Sequence, residues 1–190
     1  MSIETIKKPI RYISGGLLGD FIHQLSVVKE NYDKMGRKGI LYISDKARPN
    51  EPFTFGLEQV YNDTYPFISQ QSYIDSYHIH ENQEYDINLS SWFFNQPLYH
   101  HNWKKIFYDE YNINWCSTPY LTFKINKQFT DSILISSSIK RFNKNINYNK
   151  LIELLPQKPI FVTSNIEEYN YFKEMTGIEL EAYYFKELNE

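Results

Sequence analysis

Hydrophobic positions near the N-terminus change from a compact β-type run to a helical spacing. Ile10, Tyr12 and Ile13 form a short β-prone run, which ends at a glycine-containing segment. Apolar residues then recur every three to four positions, as on one face of a helix. These positions are Phe21, Leu25, Val28 and Tyr32. A second β-prone run follows at 40–43. This order predicts a βαβ unit, which implies a parallel sheet with a right-handed crossover.

The middle of the chain gives weaker signals. Pro49 and Pro52 predict a loop over 48–52, because proline disfavours helices and inner strands. The apolar pattern predicts a short helix over 55–61, short elements at 68–73 and 77–79, a strand over 85–89, a partly helical stretch over 92–111 that breaks near Pro97, and an extended segment over 120–123.

The last third repeats the opening order of elements. We predict strands at 133–135, 160–162 and 178–185, and helices over 148–155 and 166–175. Asn147 is the predicted cap of the first helix, and Ser164 or Asn165 that of the second. The chain is therefore predicted to be α/β. A Rossmann-like, parallel-sheet N-terminal domain would cover residues 1–126, and an incomplete second Rossmann-like domain residues 127–190.

Composition narrows the class of protein. The 190 residues include 20 Lys and Arg against 23 Asp and Glu, a net charge of -3 that argues against a nucleic-acid-binding protein. A hydrophobic share of 42% excludes global disorder. No apolar stretch approaches the roughly 20 residues of a membrane span. The single cysteine, Cys116, cannot form an internal disulfide, which predicts a reducing, cytoplasmic location.

The segment between the first strand and helix holds the most informative residues. Gly15, Gly16 and Gly19 lie where glycine lets a backbone approach a ligand closely. Their spacing fits neither the dinucleotide fingerprint nor the phosphate-binding loop. Asp20 would repel a phosphate, so a hydroxyl group is the better predicted ligand. Two interpretations of Asp20 stay open, a general base and a helix N-cap.

Further candidates are weaker. His23 lies one helical turn after Asp20, so it is predicted to orient Asp20, to contact substrate, or to act only as a capping partner. Lys140 and Arg141 follow the first strand of the second half, either as a cationic site or as a solvated turn. We predict no metal site, because metal-ligand spacing is missing around the histidines and the cysteine. The three tryptophans, Trp92, Trp103 and Trp115, are predicted to be core.

The glycine segment resembles the opening of the heptosyltransferase-like glycosyltransferases, which have the two-domain GT-B architecture. The resemblance is carried by the segments 14–22, 38–44, 86–89, 160–165 and 167–169. It is strongest to compact viral and environmental members, which would place the protein in the host cytoplasm. It implies that Asp20 is the catalytic base, and this role is carried over to Asp20 only. The predicted substrate contacts, Gly15, Gly16, Gly19 and His23, come from their positions beside Asp20.

The chain departs from that family at two places. The family usually has an Arg-Ser/Thr-x-Arg cluster after the first strand of its second domain. Here Ser137 replaces an arginine, and Ser138, Lys140 and Arg141 remain as the implied donor-phosphate site. The family's donor-binding Gly-Asn-x-Ser loop would follow Phe185, but the sequence ends at Glu190. We expect either a truncated product or a protein whose donor half is absent by design.

These observations predict a metal-independent, inverting glycosyltransferase that needs no cofactor. It would transfer a sugar from a nucleotide sugar to a hydroxyl of a glycan or another acceptor. Two alternatives remain open. One is a non-catalytic module that binds sugar or nucleotide, and the other is a structural interaction protein that forms a homodimer.

Overall fold

The computed structural model describes residues 7–95, 102–115, 119–122 and 129–185. The chain divides into two compact units, Met1–Phe123 and Lys124–Glu190, called here the first and the second unit. Each is built from parallel strands connected through helices, so the predicted α/β class is confirmed. Among the described residues, no helix is both long and apolar enough to cross a membrane.

The first unit begins with the predicted βαβ order. Its elements are β1 (Ile10–Ser14), α1 (Leu18–Met35), β2 (Gly39–Ile43), a 3-10 helix (Asp45–Ala47), α2 (Leu57–Ile68), β3 (Ile74–Ile79), β4 (Ile87–Asn88), a second 3-10 helix (Ser91–Phe94) and α3 (Trp103–Tyr111). Helix α1 ends where Gly36 adopts a left-handed conformation, and its N–H donates to the Tyr32 carbonyl at 2.7 Å.

The four strands of the first unit form one parallel sheet in the order β3-β2-β1-β4. Strand β1 lies inside the sheet, with Tyr12 beside Leu41 of β2 and beside Ile87 of β4. One face of the sheet packs against the buried side of α1, where Phe21 and Leu25 are fully covered. This sheet is consistent with a Rossmann-like arrangement, in which the order of strands reverses next to β1.

The second unit is smaller and repeats the alternation of strand and helix. Its elements are β5 (Leu134–Ile135), a 3-10 helix (Ile139–Arg141), α4 (Tyr148–Glu153), β6 (Ile160–Thr163), α5 (Ile166–Thr176) and β7 (Glu181–Tyr184). The three strands are parallel in the order β5-β6-β7. Its core contains the buried side chains of Phe161, Tyr169, Phe172 and Leu180.

Both predicted caps in the second unit are confirmed. The Asn147 side chain accepts a hydrogen bond from the Lys150 N–H at 3.0 Å, and the Asn165 side chain accepts one from the Glu167 N–H at 2.9 Å. Such caps satisfy N–H groups that have no partner within the helix. Of the two residues proposed for the second cap, Asn165 is therefore the correct one.

Several predicted boundaries differ from the structure. Helix α2 continues to Ile68 instead of ending near residue 61, because Val60, Thr64 and Ile68 extend its buried face at four-residue spacing. The strand predicted over 85–89 is shorter, although N–H groups of Asp86 and Leu89 still donate to β1 carbonyls at 2.8 Å. The strand predicted over 178–185 covers only Glu181–Tyr184. The predicted break at Pro97 lies outside the described residues.

Candidate functional site

The predicted residues of the first unit lie at the edge of its sheet where the parallel strands end. Strand β1 ends at Ser14, and residues 15–17, called here the glycine turn, connect it to α1. Strand β2 ends at Ile43 and continues into the loop that contains Arg48. In open parallel sheets, ligands bind beyond the carboxyl ends of the strands, beside the point where strand order reverses. The segment around Asp20 occupies that position.

Gly15 is required by close packing within the protein. A Cβ atom at this position would lie 2.4 Å from the carbonyl oxygen of Ser44 and 3.1 Å from Cβ of Ala47. Real Cβ atoms do not approach a backbone oxygen so closely, so only glycine fits here. The turn after β1 and the loop after β2 are also joined by a hydrogen bond from the Ser44 N–H to the Ser14 carbonyl at 2.9 Å.

Gly16 is required by the side chain of Arg48. Its φ angle is +98°, which favours glycine, and a Cβ atom would lie 2.6 Å from Cδ of Arg48. The space beside this glycine, predicted for a ligand, is thus occupied by a guanidinium group. Gly19 differs from both, because a Cβ atom there would meet nothing within 4 Å.

Asp20 is the third residue of α1 and does not cap it. The N-cap position is held by Leu17, which makes no side-chain hydrogen bond, so the N-cap alternative for Asp20 is wrong. Oδ2 of Asp20 accepts a hydrogen bond from Nη1 of Arg48 in an ion pair. Oδ1 accepts no hydrogen bond from the described part of the chain. The side chain is 18% exposed, so this oxygen belongs to a carboxylate that solvent can reach.

Arg48 is the residue that sequence reasoning missed. Its side chain is only 3% exposed, and its second terminal nitrogen, Nη2, pairs with Glu51. The guanidinium carbon lies 3.7 Å from the ring centre of Phe93, which adds a cation–π contact. The sequence assigned 48–52 only to a loop. The available signal was a basic residue directly after a strand and its turn, at the sheet edge that already carried Asp20.

A buried polar network ties the glycine turn to the end of β4. The Ser14 hydroxyl donates to the side-chain oxygen of Gln24, and the Gly15 N–H donates to the Ser90 hydroxyl at 3.1 Å. The Ser90 hydroxyl in turn donates to the Gly15 carbonyl at 3.1 Å. Ser14, Gln24 and Ser90 are fully buried, and buried polar groups stay stable only when they are hydrogen bonded. The network therefore fixes the backbone that leads to Asp20.

His23 does not hydrogen bond to Asp20 among the described residues. Its Nδ1 lies 3.2 Å from the hydroxyl of Tyr120, and its ring centre lies 5.0 Å from that of Trp103 and 5.3 Å from that of Trp115. Burial lowers the pKa of the His23 imidazole below its usual value, and the negative charge of Asp20 opposes this shift. The aromatic partners and Tyr120, not Asp20, thus hold the ring in place.

We expect the stability of the protein to fall as the pH decreases below about 6.5, the ordinary pKa of histidine. The unfolded chain then binds a proton that the folded His23 resists, so unfolding becomes more favourable until the pH reaches the lowered pKa of the folded state. Urea unfolding at pH 7.5 and at pH 5.5 measures this loss, and His23→Gln should reduce it. Parallel pH profiles for His23→Gln and the unchanged protein would contradict this origin.

The predicted residues of the second unit lie just after β5. Lys140 and Arg141 belong to the 3-10 helix Ile139–Arg141, and Ser138 precedes it without a side-chain capping bond. The Arg141 N–H donates to the Ser138 carbonyl at 3.1 Å. Both cationic side chains are exposed and form no ion pair with the described residues. They are therefore accessible to an anionic ligand.

The remaining candidates are the three tryptophans, the possible metal ligands and Cys116. Trp92 is buried, and Trp103 and Trp115 pack against the same core of the first unit, as predicted. In the described ranges, no group of three or more His, Cys, Asp or Glu side chains is placed to hold a metal ion. Cys116 lies outside these ranges.

The structure thus assembles two separate sets of candidate residues. In the first unit, Gly15, Gly16 and Asp20 converge on Arg48. In the second unit, Lys140 and Arg141 form an exposed cationic turn. The chain matches no family model, and no curated protein and no solved structure is significantly similar to it.

Proposed function

We propose that the protein is a glycosyltransferase that moves a sugar from a nucleotide sugar to an acceptor hydroxyl. Asp20 is the general base, and the two units correspond to the acceptor and donor halves of a GT-B architecture. The reaction inverts the anomeric centre by direct displacement. The acceptor oxygen forms the new bond to the sugar carbon while the bond to the nucleoside diphosphate breaks. Asp20 takes the acceptor proton, and the diphosphate leaves with the bonding electrons.

The observation that carries this proposal is the position of the Asp20 carboxylate. It lies at the edge of a parallel sheet where the strands end, which is where open sheets generally bind ligands. The side chain is reachable by solvent, and one of its oxygens accepts no hydrogen bond from the described residues. A general base must come within hydrogen-bond distance of the proton that it removes. The free hydrogen-bonding position of Oδ1 supports this role for an acceptor hydroxyl that enters from solvent.

Lys140 and Arg141 supply the second requirement, which is stabilisation of the leaving diphosphate. Negative charge develops on the leaving group, and positioned cations lower the energy of that state. The two exposed cations after β5 and the neighbouring hydroxyl of Ser138 are the proposed donor contacts. No step of this mechanism requires a metal ion.

A second candidate function is a non-catalytic module that binds a sugar or nucleotide. The observation in its favour is the side chain of Arg48, which fills the space beside Gly16 and pairs with Asp20. A carboxylate held in an ion pair is suited to accepting hydrogen bonds from sugar hydroxyls without any turnover. Calorimetry separates the two functions, because this module would bind a glycan or nucleotide and release no nucleoside diphosphate.

We expect Asp20→Asn to lower kcat by about 100-fold or more, since general base catalysis contributes about 10²–10⁴-fold. The measurement is release of nucleoside diphosphate from a panel of nucleotide sugars in the presence of hydroxyl acceptors. Asp33→Asn is the matched control, because Asp33 lies on the same helix and pairs with Lys29 on its surface. Turnover that persists unchanged in Asp20→Asn would remove the assigned base.

The donor contacts are tested in the same assay. Replacing both Lys140 and Arg141 with alanine should raise KM for the nucleotide sugar about tenfold or more, because hydrogen bonds to charged groups contribute about 1.5–3 kcal/mol. Lys144→Ala, an exposed cation of the same unit, is the control. An equal KM for the double variant and this control would exclude the cationic turn as the donor site.

A further inference from the structure

Arg48 is a buried cation at the edge of the sheet that carries Asp20. Its side chain is 3% exposed and lies against Gly16, where a Cβ atom would come within 2.8 Å of Nη1. The ring of Phe93 covers it at 3.7 Å. Charged side chains are rarely buried to this extent unless they are paired. This arginine is therefore built into the fold, and the missing side chain at Gly16 makes room for it.

The guanidinium is held at two points by carboxylates from different segments. Nη1 donates to Oδ2 of Asp20 on α1, and Nη2 donates to Oε2 of Glu51 in the loop after β2. Nε has no hydrogen-bond partner among the described residues. A guanidinium is planar and rigid, so fixing two of its nitrogens fixes the direction of both N–H groups. The position of the Asp20 carboxylate is then set by a group that cannot rotate freely.

The two carboxylate oxygens of Asp20 have different surroundings. Oδ2 is taken by the guanidinium, whereas Oδ1 accepts no hydrogen bond from the described residues. We infer that Arg48 is the positioning residue that holds the Asp20 carboxylate with Oδ1 directed toward the acceptor hydroxyl. The inference rests on the proposed function of Asp20 as general base. It assigns to Arg48 no contact with the reacting atoms.

A lysine at position 48 would not hold the Asp20 carboxylate in a fixed orientation. An ammonium group is a compact charge without the fixed fork of a guanidinium, and it would reach one carboxylate at a time. Arg48→Lys therefore keeps a cation near Asp20 but loses the fixed orientation. Arg48→Met removes the charge and keeps an unbranched side chain of similar length beside Phe93.

The kinetic test compares these variants in two backgrounds. Arg48→Met should lower kcat per folded molecule about 100-fold, with KM for the acceptor changed less than threefold, since misplacement of a reacting group by about 1 Å costs up to that factor. The kcat of Arg48→Lys should lie between that of Arg48→Met and that of the unchanged protein. In the Asp20→Asn background, Arg48→Met should cause no further loss of kcat. An equal loss in both backgrounds would overturn the inference, because Arg48 would then act independently of Asp20.

Lys46→Met provides the matched control for the kinetics. Lys46 is an exposed cation two residues away in the same loop, and no hydrogen bond or ion pair of its side chain to the described residues is present. This variant should keep the kcat of the unchanged protein. The folded fraction of every variant is measured by circular dichroism, so that loss of folding is separated from loss of turnover.

A crystallographic test does not depend on activity. Crystal structures of the unchanged protein and of Arg48→Met should show the Asp20 carboxylate displaced by about 1 Å or more, or in several conformers, in the variant. If Arg48→Met does not fold, Arg48→Lys is used in its place. An Asp20 side chain that stays in the same conformer would overturn the inference whatever the activity. Absence of turnover in the unchanged protein, with a displaced carboxylate in the variant, would reject the proposed glycosyl transfer but retain Arg48 as the residue that positions Asp20.

Discussion

Gly15→Ala is expected to lower the free energy of unfolding of the first unit by about 3 kcal/mol. The new Cβ atom would lie 2.4 Å from the Ser44 carbonyl oxygen, which also accepts a hydrogen bond from the Ala47 N–H at 3.2 Å. Relief of the clash must therefore move backbone, and it disturbs the loop that carries Arg48. Urea unfolding followed by tryptophan fluorescence measures the loss, because all three tryptophans lie in the first unit.

Gly19→Ala is the matched control, four residues further along the same segment. Gly19 is in the first turn of α1, its φ angle is not positive, and a Cβ atom there would meet nothing within 4 Å. Alanine leaves the unfolded chain fewer conformations than glycine does, so less entropy is lost when the helix forms. This variant should therefore be more stable than the unchanged protein by about 0.5–1 kcal/mol. Equal urea midpoints for the two variants would show that the close approach at Gly15 is absent in solution.

Phe172→Ala is expected to remove about 3–5 kcal/mol from the stability of the second unit. Phe172 is fully buried, and its ring centre lies 5.0 Å from that of Phe161 and 5.4 Å from that of Tyr148. The total free energy of unfolding of a unit of this size is about 3–10 kcal/mol, so much of the folded population should be lost in the variant. Hydrogen exchange of the β6 and α5 amides measures the effect.

Leu154→Ala serves as the control for Phe172→Ala. Leu154 lies just after α4 in the second unit and is 74% exposed, so its truncation should change the stability by about 0.5 kcal/mol or less. Amide protection in β6 that survives in Phe172→Ala as well as in Leu154→Ala would contradict the proposed core of this unit.

Local patterns in the sequence were sufficient to predict most elements. The apolar spacing from Phe21 to Tyr32 predicted α1, and the asparagines at 147 and 165 predicted two helix starts. These signals are reliable because both depend on residues that are near one another in the sequence. A helix buries one face, which gives a regular apolar spacing, and its first N–H groups are satisfied by a residue just before the helix. Elements that rely on distant partners were predicted less well, as with β4, whose pairing residues lie on β1.

The candidate site was predicted only in part, because half of it comes from another segment. Asp20 was found from its place just after the glycine turn, but its partner Arg48 lies 28 residues further along the chain. Gly16 was interpreted as room for a ligand, whereas it makes room for this arginine. A glycine in a sequence indicates that something comes close to the backbone, and it does not indicate what that group is.

By itself, the sequence determined the α/β class and the order of strands and helices near the two ends of the chain. Each of these follows from side chains within a few positions of one another. Only the tertiary structure decided that Arg48 is buried against Gly16, that it pairs with Asp20 and Glu51, and that Ser90 closes the polar network under the turn. Except for the pair of Arg48 with Glu51, these contacts join residues far apart in the chain. The sheet brings them together because its parallel strands all end at the same edge.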